Sequence, residues 1–380
     1  MLNIVYSPHY LEYNFGARHP FSPDRWEALA ELLRSMDLKA NWVTPHPATD
    51  QDLRTVHELP YLEAVKAASV GFPGTNGSGF GLGTSDVPIF YGMYEAGLEI
   101  CGGTLTAARL IQENSASKVL QLGGGLHHAM AARAAGFCIY NDVAMAIHSF
   151  REQGMRVAYV DIDVHHGDGV QAMFYDDPSV LTISLHESGR FLFPGTGSIH
   201  ERGVGAGLGA CINIPLFPES HDSAYVNAFE AIVPDALRAF RPDVLVVEAG
   251  ADTHTTDPLA HLALSTHGFM HVVARLVELS NELTEGRLLA TLGGGYNFDS
   301  TIRMWTILAY TLAAQPIPDQ TPAVWRTEWE KRKDIRLKAT IHDDASAAAN
   351  HTANEQQLAI VRNANEQTVR DLTELIQKPT

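Results

Sequence analysis

The chain has 380 residues, 45% of them hydrophobic and 19% charged, which is typical of a globular protein with a large core and excludes general disorder. Its formal net charge of −17 at pH 7 disfavours general binding to nucleic acid or to an anionic membrane, because the long-range field has the wrong sign, and it favours cationic partners only weakly. The three cysteines are odd in number and far apart, so we expect no disulfide framework and no cysteine-rich zinc site; a reducing cytoplasm fits best.

The sequence indicates no targeting segment, and its composition changes at two places. The start of the chain has no basic region followed by an apolar run, so we expect no signal peptide, and no stretch reaches the ~18 apolar residues of a membrane span. Residues 70–86 are rich in glycine and predict a long loop. Residues 315–322, QPIPDQTP, break the pattern again, and a charged segment rich in Ala, Asn and Gln follows. We therefore expect a main domain at 1–316 and a helical extension at 317–380, packed on the main body or partly mobile.

Short apolar runs alternate with longer helical patterns inside the main domain. Five runs without polar alternation predict strands that are covered on both faces: KVLQLGG (118–124), RVAYVDIDV (156–164), VLTISLH (180–186), DVLVVEAG (243–250) and RLLATLGGG (287–295). Helical patterns precede, separate and follow them, at 91–112, 141–153, 221–240, 267–283 and 300–313. This alternation predicts an α/β fold of three layers, αβα, with a central, mostly parallel sheet.

Chemically useful side chains follow four of the predicted strands. They are His127 and His128 after the first, Asp161, Asp163, His165 and Asp168 around the end of the second, Asp252 after the fourth and Tyr296 after the fifth. Ligands of open α/β sheets bind outside the carboxyl ends of the strands, so we expect one shared active site at this edge.

The run YVDIDVHHGDGV (159–170) indicates a metal site. Asp161, Asp163 and His165 alternate, so in an extended strand they would point to one face. Buried carboxylates are costly unless they are paired or bind a metal. Asp163, His165 and Asp252 are the best set of three ligands, which would leave an open position for water or substrate. The alternative is a solvated turn.

The remaining polar groups suit proton transfer. A histidine held by Asp161 or Asp168 would have a fixed tautomer and a raised pKa, as a general base or acid requires. Tyr296 could donate a hydrogen bond to a developing oxyanion, although a tyrosine after a glycine turn more often serves packing.

Eight segments resemble the histone deacetylase family, which has the arginase/deacetylase fold. They are HPFSPDR, GLGTSDVP, GGGLHHA, GFCIYND, YVDIDVHHGDGV, SLHESGRFLFPGTG, EAGADTH and LGGGYN, in the family's order over about residues 1–310. The beginning of the chain and MYEAGLEICGGTL are most similar to the bacterial deacetylases of the acetoin-utilisation type.

The resemblance implies a hydrolase that removes the acetyl group from Nε-acetyl-lysine in proteins or peptides, with Asp163, His165 and Asp252 holding Zn²⁺, or Fe²⁺ in the cell. It implies these further roles: His128 as general base and acid, His127 as its electrostatic partner, Asp161 and Asp168 behind the two histidines, Tyr296 on the acetyl carbonyl, Phe137 and Phe193 as channel walls, Gly136 at the amide end, Asp86 at the rim and Arg25 at an inner channel for acetate. Leu192 stands where the family often has a second aromatic residue.

The resemblance also implies a structural K⁺ beside the zinc. Its positions are Asp161, Asp163, His165, Ser184 and Leu185, and a second such site would involve Phe174, Asp177 and Val180.

Three alternatives remain open at this point. A ureohydrolase with two manganese ions would need more clustered aspartates than EAGADTH provides. A deacetylase of acetylated polyamines or other small amines would use the same chemistry behind a narrower mouth. A non-catalytic binder of acyl-lysine would not need the full set of proton-transfer groups. We expect an acetylated protein or peptide as partner, no direct contact with nucleic acid or membrane, and an oligomeric state that the residues leave open.

Overall fold

Eight short strands pair side by side in the computed structural model, which describes residues 1–71, 77–344 and 355–377. The strands are β1 (Leu2–Val5), β2 (Ala40–Val43), β3 (Lys118–Gln121), β4 (Val157–Asp161), β5 (Val180–Glu187), β6 (Cys211–Leu216), β7 (Val244–Glu248) and β8 (Leu288–Thr291). Their order in the sheet is β2-β1-β3-β8-β7-β4-β5-β6, and every neighbouring pair is parallel. The predicted parallel sheet is thus confirmed.

Helices cover both faces of this sheet. In the described residues they are α1 (Asp24–Ser35), α2 (Asp50–Leu53), α3 (Leu59–Ser69), α4 (Met93–Gln112), α5 (Asp142–Glu152), α6 (Asp168–Met173), α7 (Asp222–Phe240), α8 (Thr266–Leu283), α9 (Phe298–Leu312), α10 (Ala323–Lys333) and α11 (Glu355–Gln377). Alternate residues of one strand enter different cores: Val244 and Val246 of β7 pack in one, Leu245 and Val247 in the other. This period of two across a sheet with two buried faces confirms the three-layer αβα architecture.

Several elements were not predicted from the sequence. Strands β1 and β2 have four residues each, and β6 contains Pro215, which interrupts its apolar run. Asn3 in β1 and Asn41 in β2 are likewise of a residue type that is rare inside strands, so none of the three segments shows a typical strand pattern. The structure also ends four of the five predicted strands earlier; β4, for example, ends at Asp161, not at residue 164.

The described part of the segment after residue 316 contains the helices α10 and α11, and it packs on the main body. The indole of Trp325 in α10 donates to the carbonyl of Ala28 in α1 at 3.0 Å. Asp343 forms a 2.9 Å ion pair with Arg303 of α9, and both side chains are buried. The domain boundary at 316 stays a prediction. The predicted loop at 70–86 contains a 3-10 turn at Gly77–Phe80, and residues 72–76 of it lie outside the described residues.

Candidate active site

The side chains that follow four predicted strands meet at one edge of the sheet. Strands β3, β8, β7 and β4 are consecutive in the sheet order, at its centre. Because all four are parallel, their carboxyl ends lie together, and the loops that follow them carry His127, Tyr296, Asp252 and Asp163. The sheet order therefore assembles a site from distant residues, since His127 and Tyr296 are 169 positions apart in the chain.

Asp163, His165 and Asp252 form a buried cluster whose ligand atoms all lie within 4.8 Å of one another. The His165 Nδ1 atom is 3.1 Å from a carboxylate oxygen of Asp163 and 3.1 Å from one of Asp252. Two carboxylates buried beside one imidazole carry excess negative charge, which a divalent cation would neutralise. The donor set therefore fits a metal ion of the zinc or iron type.

Short backbone contacts hold this cluster, not the strand pleat that the sequence suggested. Since β4 ends at Asp161, the residues beyond it form turns in which each carboxylate accepts from the backbone two positions on: Asp163 N–H donates to Asp161 Oδ1 at 3.0 Å, and His165 N–H donates to Asp163 Oδ1 at 2.9 Å. The N–H of Gly294 donates to Asp163 Oδ2 at 2.7 Å. A Cβ at Gly294 would lie 1.9 Å from Asp252 Oδ2, so the site requires glycine there.

Charge is unevenly shared within the cluster. Burial opposes ionisation of Asp163, but His127 and His165 outweigh it and lower the pKa of Asp163. Burial and the neighbouring Asp163 raise the pKa of Asp252 to about 7. Burial would lower the pKa of His165, yet Asp163 and Asp252 raise it to about 10. Without a cation the cluster therefore holds protons, which a metal ion would displace.

His127 and His128 are buried neighbours with a carboxylate behind each. His127 Nδ1 is 2.9 Å from Asp161 Oδ2, His128 Nδ1 is 2.7 Å from Asp168 Oδ1, and the two Nε2 atoms are 3.1 Å apart. Each Nδ1–H can donate to its carboxylate, which leaves the Nε2 atoms toward the site. The pairing of each histidine with one aspartate agrees with the roles that the resemblance implies.

The two histidines differ in charge, which the sequence did not indicate. Burial would lower the pKa of His127, but Asp161 and Asp163 outweigh it and raise that pKa well above its ordinary value. Burial and the adjacent His127 lower the pKa of His128 to about 4, although Asp168 opposes them. The expectation of a raised pKa therefore holds for His127 and is wrong for His128. A neutral His128 is free to accept a proton near pH 7.

Tyr296 lies between the metal cluster and the channel wall. Its ring is 6.4 Å from that of His165 and 5.7 Å from that of Phe137. Burial, Asp252 and Asp163 raise the pKa of Tyr296 well above its ordinary value, so the phenol keeps its proton and remains a donor. The backbone N–H of Tyr296 donates to Asp257 at 2.7 Å.

Aromatic rings line the approach to these groups. The Phe193 ring is 5.0 Å from that of His128, and Phe137 stands opposite, against Tyr296. Asp86 accepts a hydrogen bond from the N–H of Gly136 at 2.8 Å, and a Cβ on Gly136 would lie 2.2 Å from the His128 ring. Leu192 packs against the hydrophobic core beside Phe193. The cavity lined by His127, His128, Phe137 and Tyr296 has a volume of about 20 Å³, so it is narrow.

The positions predicted for the first K⁺ site include Asp163 and His165 of the candidate metal cluster and three residues on the neighbouring strands β4 and β5. Asp161 of β4 is in register with Ser184 of β5, and Leu185 follows on the same strand. The Ser184 hydroxyl is 2.9 Å from His186 Nδ1. For the second set, the Asp177 N–H donates to the carbonyl of Phe174, and Val180 N–H donates to the carbonyl of Asp177. Both K⁺ sites stay predictions.

Arg25 is buried beside the site. Its guanidinium donates to the carbonyl of Gly295 and lies 5.6 Å from the centre of the Tyr296 ring. Its Nη2 has no hydrogen-bond partner among the described residues. A cavity of about 420 Å³ adjoins it, lined in part by Tyr296 and Lys333. The inner channel for acetate, which the resemblance placed at Arg25, stays a prediction.

The sequence analysis assigned no role to several residues that hold the candidate proton-transfer groups in place. The Asn141 amide donates to the carbonyls of His127 and Ala129, at 3.1 and 2.9 Å. Asp142 accepts from the N–H groups of Gly125 and Leu126. Both residues belong to GFCIYND, which was matched as a segment only, and Asn141 also caps α5. Their contacts with a turn in another loop follow from the tertiary structure.

Glu248 forms a second possible ligand group with His127 and Asp163. Burial raises the pKa of Glu248 well above its ordinary value, and its Oε2 accepts a hydrogen bond from Thr291. His127 already bonds Asp161. The other ring nitrogen of His127, Nε2, lies 3.1 Å from His128 Nε2, so neither nitrogen of His127 is left for a metal ion, and this geometry favours one metal position over the two of a ureohydrolase.

Comparison with known proteins is consistent with this geometry. The family model described as "Histone deacetylase domain" matches residues 19–312. The "Acetoin utilization protein AcuC" of Bacillus subtilis is 39% identical over 346 residues, which cover 90% of this chain and 89% of that protein. The protein of the same name from Staphylococcus aureus (strain MRSA252) is 39% identical and covers 86% of this chain and 85% of its own.

Solved structures agree over nearly the whole chain. The crystal structure of an HDAC homolog complexed with SAHA has a TM-score of 0.86 at 25% identity, covering 98% of this chain and 99% of the other. That of an HDAC homolog from Aquifex aeolicus has a TM-score of 0.85 at 26% identity, with the same coverage. In the described part of the chain, no helix has the length and apolar character that crossing a membrane requires.

Proposed function

Because this chain belongs to the histone deacetylase family and is a deacetylase acting on amide bonds, we propose that it removes the acetyl group from Nε-acetyl-lysine in proteins or peptides. One observation supports this proposal above all: a possible metal site and proton-transfer groups lie together at the edge of one sheet. They are Asp163, His165 and Asp252, the His127–His128 pair and Tyr296. A non-catalytic binder would have no need for buried histidines held by carboxylates.

Asp163, His165 and Asp252 would hold the metal ion, Zn²⁺ or in the cell Fe²⁺. When bound, such an ion polarises the acetyl carbonyl and lowers the pKa of water. Asp161, Asp163, His165, Ser184 and Leu185 would hold a structural K⁺ behind it. A cation there would offset the charge of buried Asp161, which is 0% exposed.

His128 accepts the proton of the attacking water at Nε2, because it is neutral and Asp168 fixes its Nδ1–H. His127 keeps its proton and lowers the pKa of His128. Tyr296 donates its hydroxyl proton in a hydrogen bond to the oxygen of the tetrahedral intermediate. The protonated His128 then donates to the leaving lysine nitrogen, so the proton taken from water ends on the amine.

Phe137 and Phe193 suit the unbranched alkyl chain of acetyl-lysine, and because a polyamine has a similar chain, the assay below compares the two substrates. Gly136 leaves room beside the His128 ring that a side chain would fill. Asp86, which holds Gly136 at the rim, would also bind the substrate backbone, with Leu192 beside Phe193. The cytoplasm is the compartment that we propose.

A side-by-side rate assay tests this function. Metal-loaded protein is given an acetyl-lysine peptide and an N-acetylated polyamine, with and without a metal chelator. Faster, chelator-sensitive acetate release from the peptide is expected. Faster release from the polyamine would replace lysine by a small amine as the substrate and leave the proton-transfer roles intact. No release from either compound would contradict the proposal.

A further inference from the structure

A groove of about 560 Å³ opens between helix α11 and the loop 188–201, which follows β5. We call it the α11 groove; Arg190, Phe191, His200, Phe217, Thr368 and Asp371 line it. Its volume falls in the range of roughly 300–1,000 Å³ that is usual for ligand pockets. The proton-transfer and metal-binding groups described above do not use it.

One loop forms the wall of both the channel and the α11 groove. Phe193 lies against His128, whereas Phe191, two residues earlier, packs edge-on against Phe217 at 5.3 Å between ring centres. Both phenylalanines are about half exposed, at 46% and 50%. Since the cavity at the catalytic histidines is only about 20 Å³, the bulk of any large substrate must stay outside the channel. The loop 188–201 connects the two, since Phe191 lines the groove and Phe193 lies beside His128.

Helix α11 is anchored, so the groove is preformed. The Asn365 side chain is buried; it accepts from the N–H of Phe217 at 2.8 Å and donates to the hydroxyl of Ser220 at 2.6 Å. Val361 and Leu372 of the same helix are also buried. A preformed wall lowers the ordering cost of binding.

The two walls of the groove differ in charge. Arg190 on the loop is exposed and forms no ion pair with a carboxylate in the described ranges. Asp371 on α11 accepts one hydrogen bond, from Gln367 at 2.7 Å. Glu201 is satisfied internally by the N–H groups of Gly197 and Ser198. The groove therefore offers a positive group beside the channel and a negative group on the helix.

We propose that the α11 groove binds the polypeptide that flanks the acetyl-lysine of a protein substrate, with an acidic side chain near Arg190 and a basic one near Asp371. This inference rests on the proposed function and extends it, because it makes the C-terminal helix part of the substrate site. A polyamine has no flanking chain and would gain nothing from the groove.

The test compares two substrates: a long peptide that extends on both sides of one acetyl-lysine, and a single blocked acetyl-lysine. Thr368→Trp fills the groove from α11. Asn363→Trp, on an exposed position of the same helix outside the groove, is the matched control. We expect the ratio of kcat/KM for the long over the short substrate to fall about tenfold in Thr368→Trp and to stay at the wild-type value in the control.

If Thr368→Trp folds poorly, Arg190→Glu provides a second test of the groove. Arg190→Glu should reverse the preference between long peptides with an acidic and a basic residue beside the acetyl-lysine. The groove proposal would be overturned by an unchanged ratio in Thr368→Trp, by an unchanged charge preference in Arg190→Glu, or by equal wild-type rates on both substrates. In each case turnover of the short substrate would still show deacetylation. A shift in sedimentation on filling the groove would assign it to a second copy of the chain instead. Absence of turnover of the short substrate would overturn the proposed function itself.

Discussion

Tyr296 is the residue whose role is tested most simply. Within the described chain its backbone N–H is bonded to Asp257, whereas its hydroxyl has no hydrogen-bond partner. Tyr296→Phe should therefore fold normally and bind metal, and kcat should fall by ~10²–10³ because one oxyanion donor is lost. Steady-state kinetics with thermal unfolding measures both. Tyr310→Phe, which removes a hydroxyl bonded to the Met36 carbonyl, is the control. Turnover near that of the wild type would remove Tyr296 from the mechanism.

The charge of His127 sets the proton affinity of His128. His127 lowers the pKa of His128, so in His127→Asn the pKa of His128 should rise. Activity requires neutral His128 and therefore falls as the pH drops through that pKa; the acid limb of kcat/KM should move to higher pH. A pH profile of both proteins, with metal content measured at each pH, shows the shift. An acid limb that stays in place or moves to lower pH would contradict this relation.

Gly294 tests the metal cluster without reference to activity. A Cβ at this position meets Asp252 Oδ2 at 1.9 Å and Asp163 Oδ2 at 2.7 Å. Gly294→Ala should displace both carboxylates and weaken metal binding at least ~10-fold, a loss known for disturbed ligand positioning. Competition with a metal indicator measures the affinity. Gly79→Ala, where a Cβ meets nothing within 4 Å, should bind metal as the wild type does. Equal affinity in Gly294→Ala would argue against this trio as the ligand set.

Asp343 joins the C-terminal segment to helices α8 and α9 of the main body. It pairs with Arg303 of α9 at 2.9 Å and with His254 at 2.9 Å, and it accepts from the N–H of Thr266 at the start of α8. Asp343→Ala would leave buried Arg303 paired with Asp299 alone and would also remove a partner of His254, so we expect a loss of up to ~3–5 kcal/mol, the cost of breaking a buried pair. Urea unfolding measures the loss. Glu282→Ala breaks the exposed pair with Arg238 and should cost less than ~1 kcal/mol. Similar losses in both variants would contradict a structural role for Asp343.

The same residue makes stability depend on pH. Burial opposes ionisation of Asp343, but His254 and Arg303 outweigh it and lower its pKa. Since the folded pKa is below the unfolded value of ~3.9, the stabilisation is present above that pH and is lost as the pH falls through the folded pKa. The stability difference between the wild type and Asp343→Ala should therefore shrink below about pH 4.

Metal binding should stabilise the whole molecule. A ligand that binds only the folded state at a thousand times its Kd adds ~4 kcal/mol to the unfolding free energy. Asp163 and Asp252 are buried close together, so their negative charge is unfavourable unless a cation offsets it. We expect a chelator to lower Tm by several degrees, and by less in Gly294→Ala. Thermal melts with and without chelator measure it; identical melts of the wild type would contradict metal binding at this site.

The sequence alone determined the layers of the fold and the residue types of the site. Runs such as DVLVVEAG are long and apolar enough to show strands buried on both faces, and the polar residues directly after them mark the edge where a ligand binds. It did not determine β1, β2 or β6, because these runs contain Asn3, Asn41 and Pro215, residue types that are rare inside strands.

Only the tertiary structure decided the strand order that brings β3, β8, β7 and β4 together, because the paired residues are 43 to 170 positions apart and such pairing leaves no local signal. It also decided that His128 is neutral while His127 is charged, since a pKa depends on burial and on neighbours contributed by other loops. The contacts of Asn141 with the His127 turn, and of α11 with the loop beside the channel, exist for the same reason: they join segments that are distant in the chain and adjacent only in the folded molecule.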